Sequence, residues 1–236
     1  MQELLSNLLK PKTLNDIVGQ KHLVGDNKIL NNMVKNNKLF SFILTGKSGS
    51  GKNSIANALV NDLNQNYRYF NAVIHSKKDL DIIFEEAKLY KNLILIADEF
   101  HRLNKAKQDL FLPYIENNLI TIIILTSQNP YFSINPAIRS RCQIFKLEEL
   151  NENDILDGIN KAISHLENIS ITEEAKKMIS KLSNGDLRFA YNLLEVAYYY
   201  DEKHNITENL IKEIILSEVS REGQVFYIFN SVKRIE

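Results

Sequence analysis

Cysteine, proline, net charge and long apolar runs are all scarce in this chain, and each scarcity excludes something. The single cysteine among 236 residues, Cys142, has no partner for an internal disulfide and cannot build a multi-cysteine metal site. Four prolines and eight glycines are too few for a collagen-like or low-complexity chain. Neither charge dominates: 29 Lys and Arg balance 29 Asp and Glu. A general electrostatic attraction to nucleic acid is therefore not indicated, and any such contact must come from a local patch. Apolar runs such as Leu119 to Leu125 fall far short of the roughly 20 residues that span a bilayer. The opening MQELLSNLLKPKTLND lacks a basic start, an apolar run and a small-residue cleavage site. A cytoplasmic protein with no membrane partner is expected.

What remains is ordinary globular material, 44% hydrophobic and 25% charged, long enough for one large domain or a medium and a small one. Five short apolar runs predict strands at Ser41 to Thr45, Tyr69 to Ile74, Leu93 to Ala97, Ile120 to Thr126 and Gln143 to Leu147. Their lack of alternation suits strands buried on both faces of a parallel sheet. Helical patterns at Asn53 to Leu63, Lys78 to Tyr90 and Lys105 to Ile115 lie between them, which predicts an α/β layered domain. After Leu150 the pattern is helical only. Asn151-Glu-Asn-Asp154 is a capping signature ahead of Ile155 to Leu166, and further helices are expected from Thr172, at Asp186 to Tyr200 and at Thr207 to Ser217. The expected division is a nucleotide-binding core at 1–148, a helical domain at 149–218 and a further segment at 219–236.

Two motifs carry chemistry. Gly46-Lys-Ser-Gly-Ser-Gly-Lys52 follows a predicted strand and opens a predicted helix. Glycines in the pattern Gly-x4-Gly-Lys let successive backbone N–H groups turn inward around phosphate oxygens, the helix N-terminus adds its positive dipole end, and Lys52 supplies a charge. Residues Gly46, Lys47, Ser48, Gly49, Ser50, Gly51, Lys52, Asn53 and Ser54 are thus expected to hold the phosphates of ATP. Asn53 stands where Ser or Thr normally ligates Mg²⁺. Its amide oxygen sits one bond farther out, and octahedral Mg²⁺ tolerates misplacement poorly. The expectation is that nucleotide binding survives and hydrolysis is weakened.

The second motif, Leu93-Ile-Leu-Ile-Ala-Asp-Glu99, is an apolar strand ending in two carboxylates. Adjacent strand residues point to opposite sides, so the two cannot share one job. Asp98 suits Mg²⁺, together with Asn53, and Glu99 suits the general base that orients the attacking water. His101 and Arg102 beside them are candidates for relaying nucleotide state, or for capping and packing. Cys142 reads as a small buried residue without a partner base, and His22, His75, His165 and His204 lack metal-ligand spacing.

Asp98-Glu-Phe-His-Arg-Leu-Asn-Lys105, Phe111-Leu-Pro-Tyr-Ile-Glu-Asn117, Thr126-Ser-Gln-Asn-Pro-Tyr-Phe132 and Pro11-Lys-Thr-Leu-Asn-Asp-Ile-Val-Gly-Gln-Lys-His-Leu23 together resemble the replication-associated recombination protein A family (RarA, also called MgsA), AAA+ ATPases of the clamp-loader clade. Lys10-Pro11 replaces that family's usual Arg-Pro. The resemblance implies an AAA+ P-loop fold, a parallel sheet flanked by helices and followed by a small all-helical lid. It implies DNA-dependent ATP hydrolysis in fork maintenance, recombination and repair, with forked or single-stranded DNA, single-strand binding protein and further copies of the chain as partners. Asp16 to Gln20, with Ile17 and Val18, would line the adenine pocket, and Ser127 and Asn129 compete as sensor 1. Arg141, in Asn135-Pro-Ala-Ile-Arg-Ser-Arg-Cys142, would be an arginine finger acting on a neighbouring subunit. Arg188, in Asn184-Gly-Asp-Leu-Arg188, would be sensor 2. The family continues into a helical region that builds a tetramer. Arg221 to Glu236 resembles only its beginning, so a fragment or a shortened member is expected, with oligomer formation in question. The alternative is a nucleotide-binding but catalytically weak interaction subunit of clamp-loader type.

Overall fold

The computed structural model describes residues 5–222. Pro11–Glu149 forms one compact unit, and residues 5–10 with 150–222 form a second.

The first unit is built on a parallel sheet of five strands: β1 (Phe42–Thr45), β2 (Tyr67–Asn71), β3 (Leu93–Asp98), β4 (Ile120–Thr126) and β5 (Gln143–Lys146), in the order β2-β3-β4-β1-β5. Alternate residues of each strand feed opposite cores, which is why the runs are apolar throughout. Phe42, Leu44, Ile94, Ile96, Ile123 and Leu125 pack on one face with helix Lys52–Leu63 and helix Ile29–Lys35. Ile43, Leu95, Ala97, Ile122 and Ile124 pack on the other against helix Lys77–Tyr90 and an aromatic group of Phe70, Phe84, Phe100 and Phe111. Burying one such aliphatic side chain contributes roughly 1.5–3 kcal/mol, so a sheet covered on both faces is the stable solution for these strands.

Two local expectations change. The second strand was expected at Tyr69 to Ile74, but it ends at Asn71, and Val73 and Ile74 are exposed. Asn71 Oδ1 accepts from the backbone N–H groups of Val73 (2.9 Å) and Ile74 (3.3 Å), a side-chain turn that stops the strand despite the apolar residues beyond it. The single helix expected at Lys105 to Ile115 is two, Lys105–Asp109 and Leu112–Glu116, with Pro113 in the first turn of the second.

The second unit packs helices Glu152–Ile163, Glu173–Ser183, Leu187–Tyr200 and Glu208–Glu222 around Ile155, Ile159, Ile179, Leu194 and Ile211. Asn151 and Asp154 cap the first of these reciprocally, as their spacing predicts. A short parallel strand pair, β6 (Ser170–Ile171) and β7 (Asn205–Ile206), interrupts the helical pattern. Residues 5–10 were expected in the nucleotide-binding core and belong instead to this unit. Leu5 and Leu9 lie one helical turn apart and join its apolar cluster, and the Leu5 backbone N–H donates to Glu195 Oε1 (2.9 Å). Of the segment expected at 219–236, residues 223–236 lie outside those described.

Candidate functional site: the carboxyl edge of the parallel sheet

The strand order places β4 between β1 and β3, so the loop after β1, the acids ending β3 and the tip of β4 converge on one edge. In open parallel sheets this carboxyl edge is where ligands bind. The Gly46 N–H donates to the Thr126 carbonyl (3.3 Å), and Thr45 Oγ1 donates to the Gln128 carbonyl (3.2 Å), fixing the start of the phosphate loop to β4.

The loop needs its glycines for two reasons. Gly49 and Gly51 adopt left-handed φ values of 78° and 95°, which glycine alone enters freely. At Gly46 the reason is space: an added Cβ would lie 2.9 Å from Ser50 Oγ and 3.0 Å from Leu147 Cβ. Gly51 caps helix Lys52–Leu63, whose N-terminus therefore faces the loop. Lys52 is buried, and its Nζ donates to the carbonyls of Gly46 (2.7 Å) and Lys47 (2.8 Å). Ser50 Oγ donates to the Lys47 carbonyl (2.8 Å), Lys47 and Ser48 are exposed, and Ser54 is half-buried in the first helical turn.

Asp98 is the buried centre of a polar cluster. Its Oδ2 accepts from Tyr69 Oη (2.6 Å), Asn53 Nδ2 (3.0 Å) and Asn71 Nδ2 (3.3 Å), and its Oδ1 accepts from the Glu99 N–H (2.8 Å). Burial, then the bond to Asp98, pushes the Tyr69 hydroxyl up to about 12. Because the carboxylate only accepts, the Asn53 amide must turn its NH₂ toward it. Asn53 Oδ1 is left buried without a hydrogen-bond partner, which costs about 1–3 kcal/mol unless something else takes it up. An orphaned hard oxygen beside a carboxylate has the donor chemistry of a divalent-cation site, so these residues fit Mg²⁺.

Glu99 sits in the left-handed region at φ 51°, a conformation that costs a non-glycine residue about 1–3 kcal/mol and concentrates at functional sites. It opens the 3₁₀ turn Phe100–Arg102, and its Oε2 lies 3.3 Å from His101 Nε2. His101 Nδ1 in turn lies 3.2 Å from Thr126 Oγ1. Burial holds the imidazole below the ordinary histidine range, with Glu99 pulling the other way. Of the two residues expected to compete as sensor 1, Ser127 is exposed, and Asn129 is exposed and caps helix Pro130–Ser133 by accepting from the Tyr131 N–H (3.0 Å). The buried hydroxyl between the phosphate loop and the acids belongs to Thr126. Sequence reasoning missed it, along with Tyr69 and Asn71. Thr126 ends an expected strand, which was the signal available for it; Tyr69 and Asn71 lie inside the expected run Tyr69 to Ile74.

The segment expected to hold adenine contains a buried connector. Gln20 donates through Nε2 to the carbonyls of Glu148 (2.8 Å) and Ser50 (3.3 Å) and accepts from the Glu148 N–H (3.1 Å). Ile17 packs on the first core, and Val18 is half-buried beside it. Arg141 is elsewhere: it precedes β5, at the amino edge of the sheet, where it pairs with Glu116 (2.6 Å) and donates to the Ala137 carbonyl (2.7 Å). Arg188 is carried by the helical unit, exposed in the first turn of Leu187–Tyr200. Burial pushes the Cys142 thiol up to about 12, which makes it a poor nucleophile.

The model of the Holliday junction DNA helicase RuvB P-loop domain matches residues 9–157. The chain belongs to that P-loop family. It has the AAA+ P-loop fold, and its resemblance to replication-associated recombination protein A holds in direct alignment. The Bacillus subtilis (strain 168) protein of that name is 44% identical over 200 residues, 82% of this chain and 47% of its own length. The Escherichia coli (strain K12) protein is 32% identical over 228 residues, 92% of this chain and 51% of its own. This chain thus spans about half the length of these relatives. The Thermotoga maritima RuvB Holliday junction branch migration motor superposes with a TM-score of 0.75 at 24% identity, covering 89% of this chain and 72% of that one, a likeness of fold. The family match spans both the glycine loop and the acid pair.

Proposed function

We propose that this chain hydrolyses ATP at the carboxyl edge of its sheet and does so in response to DNA, in replication-fork maintenance, recombination and repair. The observation that supports it best is the convergence there of Lys52, the Asn53–Asp98 pair and a strained Glu99. Lys52 Nζ exchanges loop carbonyls for phosphate oxygens as nucleotide enters. Asn53 and Asp98 would hold Mg²⁺, which supplies charge neutralisation on the phosphate oxygens. Glu99 takes the proton of the attacking water as its oxygen bonds to the γ-phosphorus and the bond to the bridging oxygen breaks, releasing ADP and phosphate. Arg188 serves as sensor 2. Arg141 lies at the far edge of its own sheet, which suits action on another copy's nucleotide.

The DNA half of the proposal rests on the names of the relatives, and single-strand binding protein and self-association as partners rest on the resemblance to the family alone. Absence of any helix long and apolar enough to cross a membrane, among the described residues, is consistent with a cytoplasmic setting. Equilibrium titration with ATP and Mg²⁺, followed by turnover with and without forked DNA, tests both halves. Failure to bind ATP ends the proposal. Turnover indifferent to DNA, with no DNA binding at low salt, removes the fork role and leaves the ATPase.

One contact favours a second reading, a nucleotide-binding but catalytically weak subunit of clamp-loader type. Asn53 spends its amide on Asp98, where a Ser or Thr hydroxyl would be a compact Mg²⁺ ligand. Turnover absent or weak in the parent and restored by Asn53→Thr establishes that reading, and turnover in the parent that Asn53→Thr does not raise excludes it.

A further inference from the structure

Glu99, His101 and Thr126 form one chain of polar contacts. The His101 side chain is 3% exposed and has a polar neighbour at each ring nitrogen, Glu99 Oε2 at Nε2 (3.3 Å) and Thr126 Oγ1 at Nδ1 (3.2 Å). The directions follow from donor and acceptor inventories. A carboxylate accepts only, so Nε2 carries the proton. A neutral imidazole then accepts at Nδ1 from the Thr126 hydroxyl, whose single proton has the Gln128 carbonyl (3.3 Å) as its other acceptor. The same hydroxyl oxygen accepts from the Gln128 N–H (3.1 Å). The chain runs from Gln128 through Thr126 and His101 to Glu99.

We propose that His101 is a positioning residue for the base, holding the Glu99 carboxylate and tying it to Thr126 at the tip of β4. The proposal rests on Glu99 being the base, as set out above. Its reach extends to the phosphate loop, because the Thr126 carbonyl accepts the Gly46 N–H (3.3 Å) and Thr45 pairs with Thr126 in the sheet. A displacement of the loop or of the β4 tip is thereby passed to the base through the Thr126–His101 hydrogen bond and the His101–Glu99 contact, without the exposed side chains of Ser127 or Asn129. Glu99 needs such a tether. Its backbone is left-handed, and its side chain is 35% exposed beside the enclosed His101 ring, so without the imidazole the carboxylate has no fixed direction.

Two measurements test this on the whole chain. The first needs no turnover: the ring ¹⁵N shifts of His101 near pH 8 report which nitrogen carries the proton. The Nε2–H tautomer is expected in the parent, with a shift toward mixed tautomers in Thr126→Val, and an Nδ1–H imidazole in the parent overturns the proposal. The second is kinetic. His101→Ala is expected to lower kcat on the order of tenfold, less than the 10²- to 10⁴-fold attached to a base itself, while ATP Kd stays within about twofold. Thr126→Val lowers kcat by a smaller factor, Thr126→Ser restores it, and the double variant His101→Ala/Thr126→Val is no worse than His101→Ala because both break one chain. Additive losses, or a loss that lies wholly in Kd, also overturn the proposal. A parent that binds ATP without turning it over sinks the hydrolytic function instead, and the tautomer then decides whether the tether exists.

Discussion

The two edges of the same five-stranded sheet are built differently. At the carboxyl edge Lys52, Asp98 and Thr126 are buried and satisfied by side chains and backbone of the same unit. At the amino edge Arg141 and Glu116 form a half-exposed ion pair beside Phe40, Ser41 and Ile120. A buried network is costly to leave incomplete, so its members are bound to one another. An exposed pair contributes little and is easily given up. One edge is thus assembled by folding, and the other presents groups that another molecule can take.

The largest break in this comparison is Glu99→Gln. On the proposed mechanism it removes the base while keeping shape, so turnover should fall roughly 10²- to 10⁴-fold with ATP affinity retained. A loss smaller than tenfold in steady-state turnover would move catalysis away from this edge. Gly46→Ala comes next. The added methyl meets Ser50 Oγ at 2.9 Å and Leu147 Cβ at 3.0 Å, overpacking of the kind that costs about 1–3 kcal/mol. Isothermal titration should show weakened ATP binding together with a lowered melting temperature. Unchanged binding would mean that the loop relaxes freely and is not held by Leu147.

The difference between the edges also explains what could be read in advance. The glycine loop and the Asp98-Glu99 pair are local motifs, contiguous in sequence, and both appear at the expected strand ends. Thr126, Tyr69 and Asn71 enter the site only through pairing of β2 with β3 and β4 with β1, which no local pattern encodes. Tyr69 to Ile74 misled because apolarity continued past Asn71, where a side-chain turn outcompetes strand propensity. The helix expected through Lys105 to Ile115 breaks where buried Gln108 donates to the carbonyls of Leu103 (3.0 Å) and Ser133 (2.9 Å) and accepts from the Asn135 N–H (2.7 Å), long-range ties invisible to periodicity. The expected boundary groups Leu5 and Leu9 with the unit nearer in sequence, but their apolar partners lie between Leu150 and Ile215.

A smaller test sharpens the account of the carboxyl edge through Tyr69. The folded hydroxyl titrates at about 12 against an ordinary 10, so the folded state keeps a proton that the unfolded state gives up. The stability this contributes is whole below pH 10 and is lost as pH rises from 10 toward 12. Tyr69→Phe should remove that part of the alkaline loss and also one donor to Asp98, costing on the order of 1 kcal/mol at neutral pH. Denaturant melts of parent and variant at pH 8 and pH 11 measure both. Equal alkaline losses in the two would show that Tyr69 ionises as a free surface tyrosine.

The smallest effect on the isolated chain should come from Arg141→Ala. Its pair with Glu116 is half-exposed on both sides, so stability should change by roughly 0–1 kcal/mol, less still at high salt. ATP affinity in dilute solution should not move, because Arg141 precedes β5 while the phosphate loop follows the opposite end of β1. If Arg141 acts on another copy's phosphate, the variant lowers turnover only at concentrations where copies associate, and mixing it with Glu99→Gln restores part of the lost activity by pairing an intact finger with an intact base. A loss of ATP affinity at low concentration would instead join the two edges within one subunit. Rescue on mixing distinguishes these outcomes, since a residue acting in its own site cannot be supplied by a neighbour.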